Sequence, residues 1–349
     1  MIQRIRVLAV LLGMIASTPA FACSSFAFGT PQMGGLAHNF DWYNQMGYTA
    51  AMYINARNTT KDGLNLFTKD PVAHWTSKYG SVTYSLVGRE FPVGGQNEKG
   101  LIVHAQQITG AVYPTDTSLP VTDALQWMQY LLDTSATIDE AVANAKLIRP
   151  MTSLSLHYIL CDASSNCAVV EFVNGQMVVY SHDQLPARAM TNTDYSVSLS
   201  TWQSCQQDKS TCQQSDNSLQ RFVQSSGLSA QYQSQEPMQY ALAGLNFVAQ
   251  HNSQITTRYH FYTPAAANPT MYFASDAQTA WQSIDMSKID FSCANGGKYF
   301  EVDLNGTGEQ SAKFIPYDVA EQTKLVNQVP AKPEWKPLMI NYPTTTTCH

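Results

Sequence analysis

The chain has 349 residues, 44% of them hydrophobic, with 20 Lys and Arg against 26 Asp and Glu and a formal net charge of −6. Charged residues are only 13% of the total, about half the usual share, and no basic run exists, which excludes the electrostatic footprint of a nucleic-acid binder. No stretch reaches the roughly 18 uninterrupted apolar residues that a membrane helix needs.

The N-terminus reads as a secretory signal. Arg4 and Arg6 supply a basic start, residues 7–15 form a short apolar run, and Ala20-Phe21-Ala22 is an A-x-A cleavage site. The predicted cut leaves residues 1–22 as signal peptide and Cys23 as a new N-terminus, with export to a periplasm or the medium. Loss of Arg4 and Arg6 takes the net charge from −6 to −8. A cysteine directly after a signal also suits lipidation. Against that, bulky Phe21 stands where a lipobox prefers a small residue, and no Leu lies three before the cysteine.

Aliphatic and aromatic content predicts strands at 23–29, 35–40, 49–56 and 81–87, and another at 101–107 after a Gly-rich turn. Helical spacing of Ala124, Leu125, Trp127, Met128, Leu131 and Leu132 predicts a helix over 123–132. Thr137-Ile138-Asp139-Glu140 reads as a capping box opening a second helix to about residue 147. Residues 154–161, 167–173 and 176–181 form a predicted strand meander. Residues 218–223 and 237–250 read as helical, 257–263 and 270–274 as strands, and the Pro- and Thr-rich tail after Asn305 as a surface wrap. Strands, helices and strands in this order fit an α+β protein with antiparallel sheets covered by helices. Neither a dinucleotide-binding fingerprint nor a phosphate-binding loop occurs.

The chain has seven cysteines, an odd number, and an exported protein tends to pair its thiols. Cys161 and Cys167 flank a turn-like segment, Cys205 and Cys212 flank a polar loop, and Cys293 with Cys348 ties the tail to the body. Cys23 is then left over. Parity also permits a Cys23 disulfide with another thiol free, and sequence alone does not fix connectivity.

A cysteine at a mature N-terminus carries a thiol and a free α-amine on one residue. The intrinsic pKa values, about 8.5 and about 8, put both within reach of neutral pH. The amine can then serve as base for its own thiol, a nucleophile–base pair that needs no histidine.

The start Cys23-Ser24-Ser25-Phe26, followed by His38-Asn39-Phe40-Asp41-Trp42, resembles the N-terminal nucleophile hydrolases of the choloylglycine hydrolase family. This family of linear amide C–N hydrolases includes bile salt hydrolases and penicillin V acylases. Gly94-Gly95-Gln96-Asn97-Glu98-Lys99-Gly100-Leu101, Met190-Thr191-Asn192 and Ser218-Leu219-Gln220-Arg221-Phe222 continue the resemblance in the family's order over most of the mature chain. It implies an αββα sandwich of two antiparallel sheets flanked by helices, forming a single catalytic domain over 23–349. Cys23 is the implied nucleophile and Asp41 the partner of its amine. Asn192 and a position on or near Gln107 are the implied oxyanion donors, and Arg221 is the active-site cation. The family often has Arg where this chain has His38. His38 is therefore read as a donor, a cation or a pH-sensitive group beside the nucleophile, or else as a simple spacer with Arg221 the only local cation, and the change argues against classical bile-salt specificity.

Each of these residues also has a bland reading. Asp41 can cap a turn, Asn192 can sit in a left-handed turn, and Arg221 can be an ion-paired helix residue. Trp75, Tyr79 and Trp127 are read as packing residues before acyl-pocket residues. The implied reaction needs no metal or organic cofactor. Its implied partner is a small-molecule amide: penicillin V, an N-acyl homoserine lactone, a conjugated bile salt or another N-acyl amino acid. Homotetramers in the family make self-association an expectation. An acyltransferase using the same thioester, and a non-catalytic envelope-binding protein, are the competing functions.

Overall fold

The computed structural model describes residues 22–44, 50–65, 68–85, 88–89, 91–152, 154–276, 278–328, 336–340 and 347–348. The predicted signal segment up to residue 21 lies outside them. Two large sheets dominate. The first has seven strands in the order Ala189–Met190, Ser24–Phe28, Gly35–Tyr43, Ile255–Pro264, Thr270–Ser275, Gln278–Asp285 and Gly308–Glu309. All its pairings are antiparallel except the last. The second has nine strands and carries at its centre Cys167–Val173, Leu156–Cys161, Ile102–Gln107, Gly94–Asn97 and Ser81–Ser85.

The two-residue alternation of strands decides which side chains meet between the sheets. Ser25 of the first sheet meets Gln106 of the second, His38 stacks on His104 at 4.2 Å between centroids, and Phe261 stacks on Tyr84 at 4.0 Å. The opposite faces take the helices. Asn217–Gln231 and Pro237–Phe247 cover the first sheet, and Ala124–Thr134 covers the second, with Trp127 against Tyr158 and Phe172. The result is the expected α+β arrangement, two antiparallel sheets between helical layers. No helix among the described residues is long and apolar enough to cross a membrane.

Local chemistry explains the helix starts. Asp123 accepts from Leu125 N, and Thr137 accepts from Glu140 N. Glu140 reaches back to Ala136 N, one residue before the position that an ideal capping box uses. Asp216 caps the Asn217–Gln231 helix through Leu219 N, and Pro237 occupies the first turn of the next, where its missing N–H costs nothing. The predicted segment 218–223 is thus the start of a fifteen-residue helix.

Three disulfides form in the expected pairs, Cys161–Cys167, Cys205–Cys212 and Cys293–Cys348, and Cys23 is a buried free thiol. The Cys293–Cys348 link fixes the tail, whose Thr347–Cys348 strand pairs with Thr59–Asp62. The tail also contains a helix at Val319–Gln328. Residues 94–97, read from sequence as part of a turn, form a fully buried strand. The helix Tyr195–Gln207 was not anticipated, because only Tyr195, Ser198 and Cys205 of its thirteen residues are buried.

The Asn97-Glu98-Lys99-Gly100 turn is a structural joint. The buried Asn97 amide donates to the Leu132 and Ser135 carbonyls at 2.8 and 2.7 Å, closing the end of the Ala124–Thr134 helix. Its Oδ1 accepts from Lys99 N and Leu101 N, both at 3.0 Å. Gly100 has φ +91°, and a Cβ there collides with the Ala266 carbonyl. Asn97→Ala leaves two buried carbonyls unmet and should cost about 3 kcal/mol. Chemical denaturation is the check, and an unchanged midpoint contradicts this account of the turn.

Candidate active site

Cys23 precedes the first residue of the Ser24–Phe28 strand and is fully buried, its side chain in the core between the sheets with Phe40, Tyr84 and Phe261. The hairpin register places Ser24 opposite Asn39 and Ser25 opposite His38. Continuing it sets Cys23 beside Phe40 and Ala22 beside Asp41. The Asp41 main-chain N–H bonds the Cys23 sulfur. Burial above all, then the charge of Asp41, pushes the thiol pKa up, while that N–H and Arg221 act in the opposite direction.

The Asp41 side chain points to the helix-covered face of its strand. Thr257 Oγ1 donates to Oδ1 and Gln250 Nε2 to Oδ2, both at 2.6 Å. Gln250 Nε2 also donates to the Ala22 carbonyl at 2.7 Å. One amide therefore joins the carboxylate to the carbonyl of the residue before Cys23. Burial raises the Asp41 pKa to about 6, against the lowering effects of Arg221 and these two hydrogen bonds.

Arg221 lies in the second turn of the Asn217–Gln231 helix, itself buried. Nε donates to Asn217 Oδ1 one turn earlier at 2.9 Å. Nη1 donates to the Cys23 carbonyl at 2.6 Å and to Ser24 Oγ at 2.7 Å, and Nη2 to Asn192 Oδ1 at 2.7 Å. Four of the five guanidinium N–H donors are thus committed. Asn192 in turn donates from Nδ2 to the Gln107 carbonyl at 2.8 Å. The contact made by Gln107 here is through its oxygen, which holds the Asn192 amide between the sheets.

Ser218, the first residue of the motif that ends in Arg221 and Phe222, is a hub. Its Oγ accepts from Asn192 N at 2.9 Å and Thr193 Oγ1 at 2.8 Å, and its carbonyl accepts from Thr191 Oγ1 at 3.0 Å. The helix that carries Arg221 thus fixes the backbone that carries Asn192.

His38 is brought to the same inter-sheet space as Cys23, but its bonds go elsewhere. Nδ1 meets Ser25 Oγ at 2.8 Å, and the ring stacks on His104, whose Nδ1 meets the Tyr84 hydroxyl at 3.1 Å. Burial, reinforced by His104, lowers the His38 pKa well below its ordinary value. The ring is therefore neutral near pH 7, and the charged alternative raised from sequence is not what the fold supplies. Arg221 is the cation acting on Cys23. The close Tyr84–His104 approach depends on Gly94, where a Cβ overlaps both rings. Trp75, Tyr79 and Trp127 pack around the Ala124–Thr134 helix: Trp75 Nε1 donates to Asp133, Tyr79 N to the Asp133 carbonyl, and Trp127 Nε1 to the Ile148 carbonyl.

With this geometry in view, comparison with known proteins is direct. The linear amide C–N hydrolases, choloylglycine hydrolase family, match residues 23–266. The chain belongs to this family. The matched region begins at Cys23 itself and includes His38, Asp41, Gln107, Asn192 and Arg221. Penicillin V acylase of Pectobacterium atrosepticum is 33% identical over 136 residues, 34% of this chain and 36% of that protein. The match thus spans about a third of that curated relative. Two solved structures share the family fold. Penicillin V acylase from Agrobacterium tumefaciens has a TM-score of 0.70 at 22% identity, covering 85% of this chain and 98% of its own. A variant of conjugated bile acid hydrolase from Clostridium perfringens has a TM-score of 0.65 at 14% identity, covering 81% and 98%.

Ser24, Asn217, Ser218, Gln250 and Thr257 were not singled out from sequence as site residues. Ser218 lies inside the segment that ends in Arg221 and Phe222, and Ser24 follows Cys23. Gln250 and Thr257 carried no local signal, being 209 and 216 residues from Asp41.

Hydrogen bonds to a carboxylate favour its ionised form. Thr257→Val and Gln250→Met each remove one, so each raises the Asp41 pKa. The acid limb of the kcat/KM profile should move to higher pH by about one unit per bond, from about 1.5 kcal/mol for a charge-assisted bond. A limb that stays put in both variants contradicts a role for ionised Asp41 in turnover.

Proposed function

We propose that this chain is an exported cysteine N-terminal nucleophile amidohydrolase that cleaves a non-peptide amide of a small amphipathic N-acyl compound. The substrate class is that of penicillin V, N-acyl homoserine lactones or conjugated bile salts, with an apolar acyl part and a polar amine part. One observation carries the reading: the Arg221 guanidinium joins the Cys23 carbonyl to Asn192, while Gln250 joins Asp41 to the Ala22 carbonyl. The groups needed around an N-terminal nucleophile converge on the two peptide bonds that flank Cys23.

As long as that bond is intact, the Cys23 nitrogen is an amide with no lone pair to lend, and burial keeps the thiol protonated. Cleavage before Cys23 frees an α-amine next to Asp41. In the proposed cycle the amine takes the thiol proton and the sulfur attacks the amide carbonyl. The Asn192 side chain and a backbone N–H near Gln107 meet the charge on the tetrahedral oxygen, each such donor contributing about 3–4 kcal/mol. Asp41 holds the ammonium and Arg221 favours the thiolate. The ammonium then gives its proton to the departing nitrogen, leaving a Cys23 thioester and a free amine. Water, deprotonated by the same α-amine, attacks the thioester and releases the carboxylic acid and the thiol. His38 contributes as a neutral ring that holds the Ser25 hydroxyl, two residues after the nucleophile.

Three disulfides fit folding in an oxidising compartment, as export through residues 1–22 requires. The similarity of the Pectobacterium and Agrobacterium penicillin V acylases makes a phenoxyacetyl amide the first substrate to try in a panel of acyl-varied amides.

The test has two parts. Intact mass and N-terminal sequencing of active protein should find Cys23 first, with an unblocked amine. Cys23→Ala should abolish turnover and keep all three disulfides. Activity in protein that retains Met1 or carries a lipidated Cys23, or turnover by the alanine variant, contradicts the mechanism.

A further inference from the structure

The Leu156–Cys161 and Cys167–Val173 strands hold a buried ionisable pair outside the residues above. His157 Nδ1 lies 3.0 Å from Glu171 Oε1, and both side chains are sealed from solvent. His157 Nε2 lies 2.6 Å from the Thr191 carbonyl, and Glu171 Oε1 accepts from Tyr195 N at 2.8 Å. These two contacts bracket the 191–195 segment, which contains Asn192.

The donor inventory fixes what His157 does. A carbonyl oxygen only accepts, so Nε2 carries a hydrogen and donates to Thr191. Nδ1 and Glu171 share one further proton, and whichever atom holds it completes the chain from Tyr195 N to the Thr191 carbonyl. Gln106, the residue paired with His157 in the neighbouring strand, adds to the clamp. With its amide oxygen accepting from Ser25 Oγ, its nitrogen lies 3.0 Å from the Thr191 carbonyl and 3.2 Å from that of Met190. Asp194, Tyr180 and Tyr195 are the other titratable groups in the field of the pair.

The location explains the arrangement. Ala189–Met190 is the edge strand of the first sheet, whereas His157 and Glu171 belong to the second. The pair therefore spans the gap between the sheets at the segment whose side chain must meet both Arg221 and the Gln107 carbonyl. Ser218 fixes the same segment only from the side of the first sheet.

We propose that His157 and Glu171 are positioning residues for the Asn192 amide, holding the Thr191–Asn192 peptide so that the amide is preset for the developing oxyanion. This rests on the reading of Asn192 as the oxyanion donor. Charge is not essential to it. One oxygen of Glu171, Oε1, makes both contacts, so in Glu171→Gln a nitrogen at that place donates to a neutral His157, whose Nε2 hydrogen still reaches Thr191, while the bond from Tyr195 N is lost.

The decisive comparison is between the single variant Glu171→Gln and the double variant Glu171→Gln with His157→Phe. They differ by the donor to Thr191, and neither buries an unpaired carboxylate. The substrate is the amide of the panel that the protein hydrolyses fastest. The parallel readout is the rate at which iodoacetamide alkylates Cys23, which needs a thiolate but no oxyanion hole. Glu171→Gln, which keeps the His157 donor to Thr191, should lose less in kcat than the double variant. The double variant should lose at least about ten-fold in kcat, part of the roughly hundred-fold or more that removing an oxyanion donor costs. KM and the alkylation rate should hold within about two-fold. Unchanged kcat in the double variant, or a fall in kcat matched by the alkylation rate, overturns the proposal. If the double variant does not fold, Glu171→Ala against the unsubstituted protein tests the other end of the clamp, the bond from Tyr195 N, and an unchanged kcat there overturns the proposal. Turnover by Cys23→Ala, by contrast, removes the underlying mechanism and leaves the clamp on Thr191 as a purely structural feature.

Discussion

A single buried guanidinium organises the site. Arg221 is held by its own helix through Asn217, and it reaches the carbonyl of Cys23, the hydroxyl of Ser24 and the side chain of Asn192. A cation taken out of water is costly unless it is paired and fully hydrogen-bonded. The chain meets that cost with four hydrogen bonds and with Asp41 as countercharge. The same bonds set the geometry. They tie the strand that follows Cys23 to the Asn192 segment, and Ser218, three residues before Arg221, sets the backbone of that segment. Loss of the guanidinium therefore disorders the site as well as removing a charge.

The second constraint is desolvation. Cys23, His38, His104 and Asp41 are all buried, and each has its ionisation biased toward the neutral form. The consequences differ with the local partners. The two histidines become neutral packing and hydrogen-bonding groups between the sheets. Asp41 keeps the means to ionise, because Thr257 and Gln250 stabilise its charged form. In the proposed mechanism the thiol is the group whose state changes most, because cleavage before Cys23 would place an amine beside it. This is pKa tuning by burial and specific partners, the pattern expected where chemistry is done.

Much of this was legible in the sequence because its signals are local. The odd cysteine and the hairpin that brings Asp41 back to the Cys23 strand both lie within residues 23–41. The Asn97 turn, the Asn192 segment and the Ser218–Arg221 turn are short and self-contained, and the disulfide pairs at 161–167 and 205–212 close small loops. What was not legible depends on long-range contact. The Tyr195–Gln207 helix shows no apolar stripe because most of it faces solvent. Gln250 and Thr257 reach Asp41 across more than two hundred residues. His38 looked like a substitute for a neighbouring cation because a sequence does not show how deeply a ring is buried. His157 and Glu171 sit in strands whose alternation reveals a face, but not the carbonyl of another sheet that the face meets.

The account stands or falls on a covalent bond at the Cys23 sulfur. The most direct measurement is acid quenching of mature protein during turnover of a phenoxyacetyl amide, followed by peptide mapping. The account predicts an acyl group on the peptide that begins at Cys23, attached through sulfur and released by hydroxylamine. An acyl group carried by any other side chain contradicts it.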